Sequence, residues 1–287
     1  MSPILVTGGT GRLGQLVIER LVAQKQSVRI LTRHPKVARK QFGTTIQIAA
    51  GEFADPASLD AAVRGVRRLL LLSPIGERLA ADQIAVANAA QASGVGRIIK
   101  ISGSHWTIDP PGISISGDAH AAVEGHLRRL PVESACLRPS AWMQVSLANT
   151  IRQVLAGNPV TAVNLDAGVG YIDARDIADV AVHLLLADLI GTDVVNLTGP
   201  EAKTPRQIAG LISTALGRPV AAIEKRPPIV SPNSDFEHRA VAQFATLIAE
   251  GRAAVTTDAV AVLLGRPPRS TRAFIQDHLA AEAAPPG

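Results

Sequence analysis

Two short segments of the sequence carry residue types at spacings that could do chemistry. In "VTGGTGRLG", Gly8, Gly11 and Gly14 recur every third residue between an apolar run and a helical pattern. In "SGDAHAAVE", His120 and Glu124 lie one helical turn apart. Backbone amides at a glycine turn can bind phosphate groups, and an imidazole titrates near neutral pH. The two segments suggest an enzyme that uses a nucleotide, with His120 near its reactive centre.

The three glycines have separate steric roles in a dinucleotide site. Gly8 permits the tight turn, Gly11 lets the backbone approach a pyrophosphate, and Gly14 lets the helix pack close to the strand. The N-terminus of that helix then faces the negative charge. The alternative is an ordinary strand-to-helix turn. We predict dinucleotide binding, with cofactor contacts at Gly8, Thr10, Gly11, Arg12, Leu13 and Gly14.

The end of the second predicted strand indicates which dinucleotide is bound. An NAD site usually places Asp or Glu there, on the ribose hydroxyls. Here the segment is "LTRHPK", which has no acid but contains Arg33, and Arg12 lies in the glycine turn. Two guanidinium groups suit a 2′-phosphate, which they can grip bidentately. The alternative is that both are solvated surface charges. The sequence predicts NADP(H) in preference to NAD(H).

Further contacts follow because ligands of such folds bind at the carboxyl ends of the strands. Each of these residues could instead be an ordinary turn residue, or, after the sixth strand, part of the core. The additional cofactor contacts predicted are Glu52, Phe53, Ser73, Pro74, Ser102, His120 and Pro139. The predicted substrate contacts are His105, Trp142 and Met143. The predicted catalytic residues are His120 and Ser102, and no metal site is predicted.

The elements that would position these residues alternate between β-rich runs and helical patterns. Strands are predicted at 3–8, 27–33, 46–51, 68–73, 97–102 and 133–139, and later at 193–199. This predicts an α/β fold, a Rossmann-like doubly wound parallel sheet with a smaller C-terminal α/β substrate lobe. The expected domains are 1–140, for the dinucleotide, and 141–287, for the substrate, interleaved as one structural unit. Residues 226–232 suggest a linker, and the tail 283–287 is expected to be disordered.

Composition narrows the class of protein. The 287 residues are 47% hydrophobic but only 3% aromatic, so the core must be mostly aliphatic. The net charge of +5 comes from scattered arginines, so we expect a small-molecule substrate and no nucleic-acid partner. The single cysteine, Cys136, is expected to be a buried thiol. Lacking a signal peptide or membrane-length apolar run, the protein is expected to be cytoplasmic, with no membrane partner. The oligomeric state stays open, with a homodimer as one option.

Several of these segments together resemble a known family. They are "ILVTGGTGRLG", "AGEFADPASLDAAVRGV", "HAAVEGHLRRL" followed by "CLRPSAWMQ", "GYIDARDIADVAV" and "GRPPRSTRAFIQDHL". The chain resembles the atypical short-chain dehydrogenase/reductases of the NmrA-like group, and within it the NADPH-dependent quinone and triphenylmethane dye reductases. The resemblance implies an NADPH-dependent oxidoreductase that transfers hydride to a small electrophilic acceptor such as a quinone. The family also contains silent NADP(H)-sensing regulators, and a tailoring enzyme on this scaffold is a further alternative.

The resemblance also shows where this chain departs from the wider superfamily, which uses Tyr-x-x-x-Lys. Tyr171 and Arg175 match that spacing superficially, but they lie in a segment expected to be structural. Counting back from Glu124, His120 stands in the place of the lysine and Ser116 in that of the tyrosine. The usual proton donor is therefore missing, and a readily reduced acceptor suits the site. The alternative for His120 is a partly exposed helix residue that contacts no ligand.

Overall fold

The computed structural model describes residues 2–231 and 233–283. These residues form nine strands: β1 (Ile4–Thr7), β2 (Val28–Thr32), β3 (Gln47–Ala50), β4 (Arg68–Leu71), β5 (Arg97–Ile101), β6 (Glu133–Pro139), β7 (Val160–Ala162), β8 (Val194–Leu197) and β9 (Ala222–Glu224). Within the same residues there are twelve α-helices: α1 (Arg12–Ala23), α2 (Pro35–Phe42), α3 (Pro56–Val63), α4 (Leu79–Ala92), α5 (His105–Ile108), α6 (Ile115–Leu127), α7 (Met143–Leu155), α8 (Ala174–Leu186), α9 (Pro205–Leu216), α10 (Phe236–Ala249), α11 (Ala259–Leu264) and α12 (Thr271–Ala283).

The main sheet has seven strands in the order β3-β2-β1-β4-β5-β6-β8, and β7 pairs with β9 in a separate two-stranded sheet. Neighbouring strands from β3 to β6 are parallel. The order 3-2-1-4-5-6 is that of the Rossmann fold, in which the chain reverses its direction of winding between β1 and β4. The predicted Rossmann-like parallel sheet is therefore confirmed, and its ligand crevice is expected where β1 and β4 end.

Sequence and burial agree along the central strands. Leu5, Leu69 and Ile98 on β1, β4 and β5 are fully buried, as aliphatic side chains of a sheet covered on both faces must be. The seven predicted strands of the main sheet are all present. The three-residue strands β7 and β9 and the short helices α2, α5 and α11 were not predicted, because each is too short or too polar to give a clear apolar pattern. In α2, for example, only Ala38 is buried.

Helix caps follow local chemistry. The Asp55 side chain accepts a hydrogen bond from the Ala57 amide (3.1 Å) at the start of α3. Thr204 forms a capping box with Gln207 before Pro205, the first residue of α9. For α8, the segment "GYIDARDIADVAV" predicts a helix cap near Asp176.

The structure places the start of α8 three residues earlier. The helix begins at Ala174, and Asp173 accepts the Arg175 amide at 2.7 Å. Asp176 lies inside the first turn, fully buried, where it pairs with Arg266 and Arg269. Its carboxylate therefore fixes the segment that follows α11 instead of capping α8.

The described residues group into two compact units. The first comprises the chain up to Gly103 together with Ser116–Arg138 and Ile177–Val195. The second comprises Ser104–Ile115, Pro139–Asp176 and the chain from Asn196 on. Each unit takes about half of the chain, and the two interleave in sequence. The domain boundary expected at residue 140 stays a prediction.

The second unit has its own core. Met143, Leu147 and Ile151 of α7 pack with apolar side chains of α9 and α12. A smaller cluster surrounds Trp106, whose ring meets Phe244 edge-on at 5.8 Å between centroids. Residues 226–231 form no helix or strand, in agreement with the predicted break, whereas residue 232 and the tail 284–287 lie outside the described residues. None of the described helices combines the length and apolar character that crossing a membrane requires.

Candidate active site

The glycine turn lies at the carboxyl end of β1, directly beside the end of β4. Gly8 has φ +63°, a left-handed conformation that favours glycine. A Cβ on Gly8 would lie 3.0 Å from the carbonyl oxygen of Leu72, which follows β4. The Thr7 hydroxyl ties the two strand ends together by donating to Leu72 O and accepting from Leu72 N, both at 2.8 Å. The tight turn assigned to Gly8 is present at the point where the winding of the sheet reverses.

Two further glycines allow α1 to pack against the sheet. A Cβ on Gly14 would lie 2.4 Å from the Gly8 carbonyl oxygen, closer than real Cβ contacts come. A Cβ on Gly9 would lie 2.7 Å from Cγ2 of Ile30 on β2. Gly14 therefore has the role predicted for it, which is to let the helix pack close to the strand. Gly9 was not singled out from the sequence, because its requirement comes from a neighbouring strand that only the fold reveals.

Gly11 is less crowded than Gly9 and Gly14. It precedes α1 with φ −78° and ψ 165°, and a Cβ there would have a single close neighbour, the Gly8 carbonyl oxygen at 3.3 Å. No side chain caps α1, and its first turn has no acidic residue. The amides at this helix start therefore suit an anionic group. Arg12, the first residue of α1, is exposed. Leu13 is buried and can offer a ligand only its backbone.

The end of β2 lies next to the glycine turn, because Leu31 pairs with Thr7 of β1. The residues that follow are Thr32, Arg33 and His34, so no acid stands there. Thr32 turns the chain by accepting the His34 amide at 3.0 Å. The Arg33 side chain is exposed. The structure thus brings Arg33 to the sheet edge where the sequence predicted it.

The ends of β3 and β4 carry four further residues from the prediction. Glu52 is exposed, and its backbone is held by Ser58 of α3 at 3.1 Å. Phe53 is half-buried and packs against the core of the first unit. Ser73 accepts a hydrogen bond from the buried Gln83 at 2.8 Å, whereas Pro74 is exposed. The contacts of Glu52, Phe53, Ser73 and Pro74 with a cofactor stay predictions.

A buried polar cluster lies at the carboxyl end of β5. Lys100, the next to last residue of β5, is fully buried. Its Nζ lies 2.8 Å from Nδ1 of His120 and donates to Ser102 Oγ at 3.1 Å. Ser102 Oγ in turn donates to Oε1 of Glu124 at 2.5 Å. His120 and Glu124 are on α6, one turn apart, so this helix and β5 position the whole cluster.

Arg138 of β6 completes the cluster. Its Nη2 donates to Oε2 of Glu124 at 2.6 Å and its Nε to Oε1 at 3.0 Å, a bidentate pair. The Glu124 side chain is 1% exposed. Burial alone would raise the pKa of Glu124, but hydrogen bonds from Arg138 and Ser102 hold it below its usual value. Glu124 is therefore a carboxylate at neutral pH and balances the charge of its neighbours.

Burial shifts the pKa of both bases in the cluster. Desolvation lowers the pKa of Lys100 to about 8. Desolvation, and then the Lys100 charge, lowers the pKa of His120 well below its usual value. His120 is 6% exposed, so the alternative of a partly exposed residue is wrong. It is a neutral imidazole near pH 7.

Lys100 is the residue of this cluster that sequence reasoning missed. In "RIIKIS" a lysine between isoleucines resembles the polar residue of a strand with one solvated face. A signal was nevertheless available, since a strand flanked by helical segments on both sides is expected to be buried throughout. Ser116, in the place of the superfamily tyrosine, is also buried, at 2% exposed.

The predicted substrate residues all belong to the second unit. His105 begins α5 and is half-buried, and Trp142 is half-buried before α7, where it bridges to Ile172. Met143 is fully buried in the core, the alternative that the sequence left open. Pro139 is buried at the end of β6, and its carbonyl accepts from Ser104 at 2.7 Å. Contacts of these residues with a ligand stay predictions.

Tyr171 and Arg175 do not form a catalytic pair. Burial raises the pKa of Tyr171 to about 12, and its ring packs within the second unit's apolar clusters. The Arg175 guanidinium pairs with Asp173 at 2.7 Å and with Asp277 at 3.0 Å. These contacts agree with the expectation that the segment containing Tyr171 and Arg175 is structural.

The sheet order, the glycine turn and the missing Tyr-x-x-x-Lys pair define a dinucleotide-fold protein of the atypical short-chain dehydrogenase/reductase type. The comparison with protein families makes this specific: the model of the NmrA-like family matches residues 1–245. The chain belongs to the NmrA-like family, and the predicted membership is confirmed.

Individual relatives cover nearly the whole chain. The (4-alkanoyl-5-oxo-2,5-dihydrofuran-3-yl)methyl phosphate reductase of Streptomyces griseus is 33% identical over 294 residues, covering 98% of this chain and 99% of the relative. Among solved structures, Citrobacter sp. triphenylmethane reductase complexed with NADP(H) has a TM-score of 0.85 and 20% identity, covering 96% of this chain and 99% of that chain. The NADPH-dependent quinone oxidoreductase of Escherichia coli complexed with NADPH has a TM-score of 0.83 and 25% identity, over the same shares of the two chains.

Proposed function

We propose that the protein is an NADPH-dependent reductase that transfers hydride to a small electrophilic acceptor conjugated to a carbonyl group, such as a quinone. The observation that carries this proposal is the glycine turn beside the end of β4, in a chain of the NmrA-like family. At that turn a Cβ on Gly11 would have a single close neighbour, the Gly8 carbonyl oxygen, and no side chain caps the start of α1. Close relatives named as reductases support the reaction class.

The residues present fit an NADP(H) molecule. The amides at the start of α1 would hold the pyrophosphate. Arg33 at the end of β2, and Arg12 in the glycine turn, would bind the 2′-phosphate, which carries charge that NAD lacks. When bound, the nicotinamide supplies the hydride, so the protein itself mainly supplies positioning and electrostatics.

We expect Arg33→Ala to weaken NADPH binding by about tenfold or more and to leave NADH binding nearly unchanged. A charge-assisted hydrogen bond contributes about 1.5–3 kcal/mol, and 1.4 kcal/mol corresponds to a factor of ten. Calorimetric titration of both dinucleotides measures the effect. Arg67→Ala is the matched control, because Arg67 is exposed before β4, at the amino end of the strand. Equal affinity of the unmodified protein for NADH and NADPH would overturn the 2′-phosphate assignment.

His120 would donate a hydrogen bond to the acceptor during hydride transfer. An acceptor oxygen gains negative charge as hydride arrives, and a positioned N–H stabilises it. The neutral imidazole of His120 can donate such a hydrogen bond without the missing tyrosine. Ser102 would act through the cluster, because its hydroxyl is occupied by Lys100 and Glu124. A quinone needs less of this help than a ketone.

His120→Ala should slow hydride transfer to a quinone about tenfold while NADPH affinity falls only slightly. The loss of one donor aimed at the transition state costs on the order of 10²–10³ in rate, and a readily reduced quinone develops less charge. Single-turnover loss of NADPH absorbance between pH 5 and 9 is the measurement. His126→Ala on the same helix is the control, since His126 bonds to Asn88 outside the cluster. An unchanged rate in His120→Ala would remove the residue from the chemistry.

The dihydrofuranone named as the substrate of the Streptomyces relative suggests a second acceptor class, which would make this chain a tailoring enzyme. An unsaturated lactone with an acyl group and a quinone both present a carbon–carbon double bond conjugated to carbonyl oxygen. Both accept hydride at carbon and negative charge at oxygen. A panel of quinones and acyl-substituted unsaturated lactones, followed by NADPH oxidation, tests the proposed function. Tight NADPH binding without turnover of either class would favour the silent sensor instead.

We also propose a cytoplasmic location, a homodimer, and neither a nucleic-acid nor a membrane partner. Scattered arginines argue against a nucleic-acid partner, and a single buried thiol, Cys136, suits a reducing compartment. Burial raises the pKa of that thiol to about 12, so the reactive thiolate does not form near neutral pH. Light scattering after size-exclusion chromatography gives the assembly, and a monomer at micromolar concentration would contradict the dimer.

A further inference from the structure

We propose that Lys100 is the positioning residue for His120: its ammonium fixes the imidazole with the proton on Nε2 and replaces that proton through Nδ1 when His120 protonates the reduced acceptor. The pair would thereby supply the proton that the missing tyrosine supplies elsewhere in the superfamily. The inference rests on the proposed function for its substrate, but the arrangement of Lys100 and His120 is tested separately below.

The Lys100 ammonium has a defined acceptor for each of its three hydrogens. They are the carbonyl oxygen of Ile101 (3.3 Å), Ser102 Oγ (3.1 Å) and Nδ1 of His120 (2.8 Å). Because Ser102 Oγ already donates to Glu124, it can only accept from Lys100. The hydrogen bonds thus have one consistent direction, from Lys100 outward, and Glu124 supplies the counter-charge.

This direction determines the tautomer of His120. An ammonium has no lone pair, so Nδ1 must accept from it and the imidazole proton must be on Nε2. Among the residues that the structure describes, Nε2 has no hydrogen-bond partner. His120 also keeps 6% of its surface exposed while Lys100 has none. Nε2–H is therefore the end of the pair that can reach a ligand.

The proton transfer balances without any further reagent. Hydride delivery gives the acceptor two electrons and one hydrogen, and leaves negative charge on its oxygen. That oxygen takes the proton from Nε2 of His120, while Nδ1 takes one proton from Lys100, so the imidazole stays neutral and Lys100 becomes a neutral amine. After product release, Nε2 takes a proton from water and Nδ1 returns its proton to Lys100. The net reaction consumes one proton from solvent.

The surroundings of Lys100 determine the pH at which the relay works. Glu124 of α6 favours its charged form, Arg138 of β6 disfavours it, and the Cys136 thiol and His120 face it as neutral groups near pH 7. On the other side lies Leu71 of β4, its partner in register. Burial is the largest influence and lowers the pKa of Lys100 to about 8. Proton delivery should therefore be lost as pH rises through about 8.

The first test compares Lys100→Met, Lys100→Gln and the unmodified protein with two acceptors. With a quinone, Lys100→Met should lower kcat about tenfold or less with KM for NADPH unchanged. With an unsaturated lactone, whose enolate needs its proton more, the loss should reach on the order of 10²-fold. In both variants the decline of rate above about pH 8 should disappear. Cys136→Ala is the control, because Cys136 pairs with Lys100 across the strands but carries no mobile proton.

The second test needs no turnover. Nitrogen NMR of His120, in protein with labelled imidazoles, should show a neutral imidazole from pH 8 down to pH 6. Its single ring proton should be on Nε2. In Lys100→Met the pKa of His120 should rise and the tautomers should mix. Lys100→Gln should keep the Nε2–H tautomer, because its amide can still donate to Nδ1.

These outcomes separate the two proposals. A Nδ1–H imidazole in the unmodified protein, or a wild-type pH profile for Lys100→Met with both acceptors, would overturn the relay even if the protein is a reductase. If the unmodified protein transfers no hydride, the proposed function is wrong and the relay falls with it. The NMR result then still decides whether Lys100 fixes the tautomer of His120.

Discussion

We expect that replacing Gly11 with valine abolishes NADPH binding while the protein stays folded. The backbone of Gly11, with φ −78° and ψ 165°, is one that valine can adopt, and the new Cβ would meet the Gly8 carbonyl oxygen at 3.3 Å. Because 3.3 Å is a tight contact for a Cβ, the Gly8 carbonyl oxygen must shift by a few tenths of an ångström, and a thermal melt measures that cost. The two methyl groups, however, would fill the space over the turn that a pyrophosphate must occupy. Calorimetry with NADPH and a thermal melt measure the two effects.

Gly96→Val is the matched control for this substitution. Gly96 precedes β5 at the amino end of the strand, and the nearest atom to a Cβ there, a backbone oxygen, is 3.9 Å away. Both proteins should melt close to the unmodified one, and only Gly11→Val should lose the dinucleotide. Normal NADPH binding by Gly11→Val would place the cofactor away from the start of α1.

We expect Glu124→Ala to lower the free energy of unfolding by about 3–5 kcal/mol, the usual cost of removing one partner from a buried ion pair. The substitution leaves the Arg138 guanidinium, 12% exposed, without its bidentate partner. It also removes the acceptor of Ser102 and the counter-charge of Lys100. We expect this loss to exceed any effect of Glu124 on the rate of hydride transfer. Urea denaturation at pH 7 measures it.

The pH dependence of this loss tests its electrostatic origin. The pKa of Glu124 is lower in the folded protein than its usual value. Its contribution to stability is therefore fully present above the unfolded pKa and disappears as pH falls through the folded one. The gap between Glu124→Gln and the unmodified protein should be constant from pH 8 to about 5 and should narrow below that. Asp166→Ala, which breaks the exposed pair with Arg206, should cost less than about 1 kcal/mol. Equal losses of unfolding free energy in Glu124→Ala and Asp166→Ala would contradict the electrostatic origin.

The fold was predictable because its signals are local. Aliphatic runs and the glycine turn depend on a few neighbouring residues, and they occur where the sequence indicates. The resemblance to the NmrA-like family added the order of the elements. The short pair β7 and β9 escaped prediction because three-residue strands leave no usable period.

The site was predictable only in part, because its decisive contacts join distant segments. The sequence pointed to His120 and Glu124, which are neighbours on α6. It could not show that Lys100 of β5 lies under His120 or that Arg138 of β6 holds Glu124, since both contacts depend on the packing of α6 over the sheet. Burial also could not be derived for His120, whose local sequence "GDAHAAVE" is typical of a solvated helix start.

The central claim is that this chain uses NADPH to reduce an electrophilic acceptor, and stopped-flow mixing of the NADPH-loaded protein with a quinone tests it most directly. We predict a single-turnover loss of NADPH absorbance that is fast with the unmodified protein, slower by about tenfold in His120→Ala and absent in Gly11→Val. NADH at the same concentration should give a lower amplitude through weaker binding. Stable NADPH absorbance after mixing with quinones and with unsaturated lactones, in protein shown by titration to be saturated, would contradict the claim.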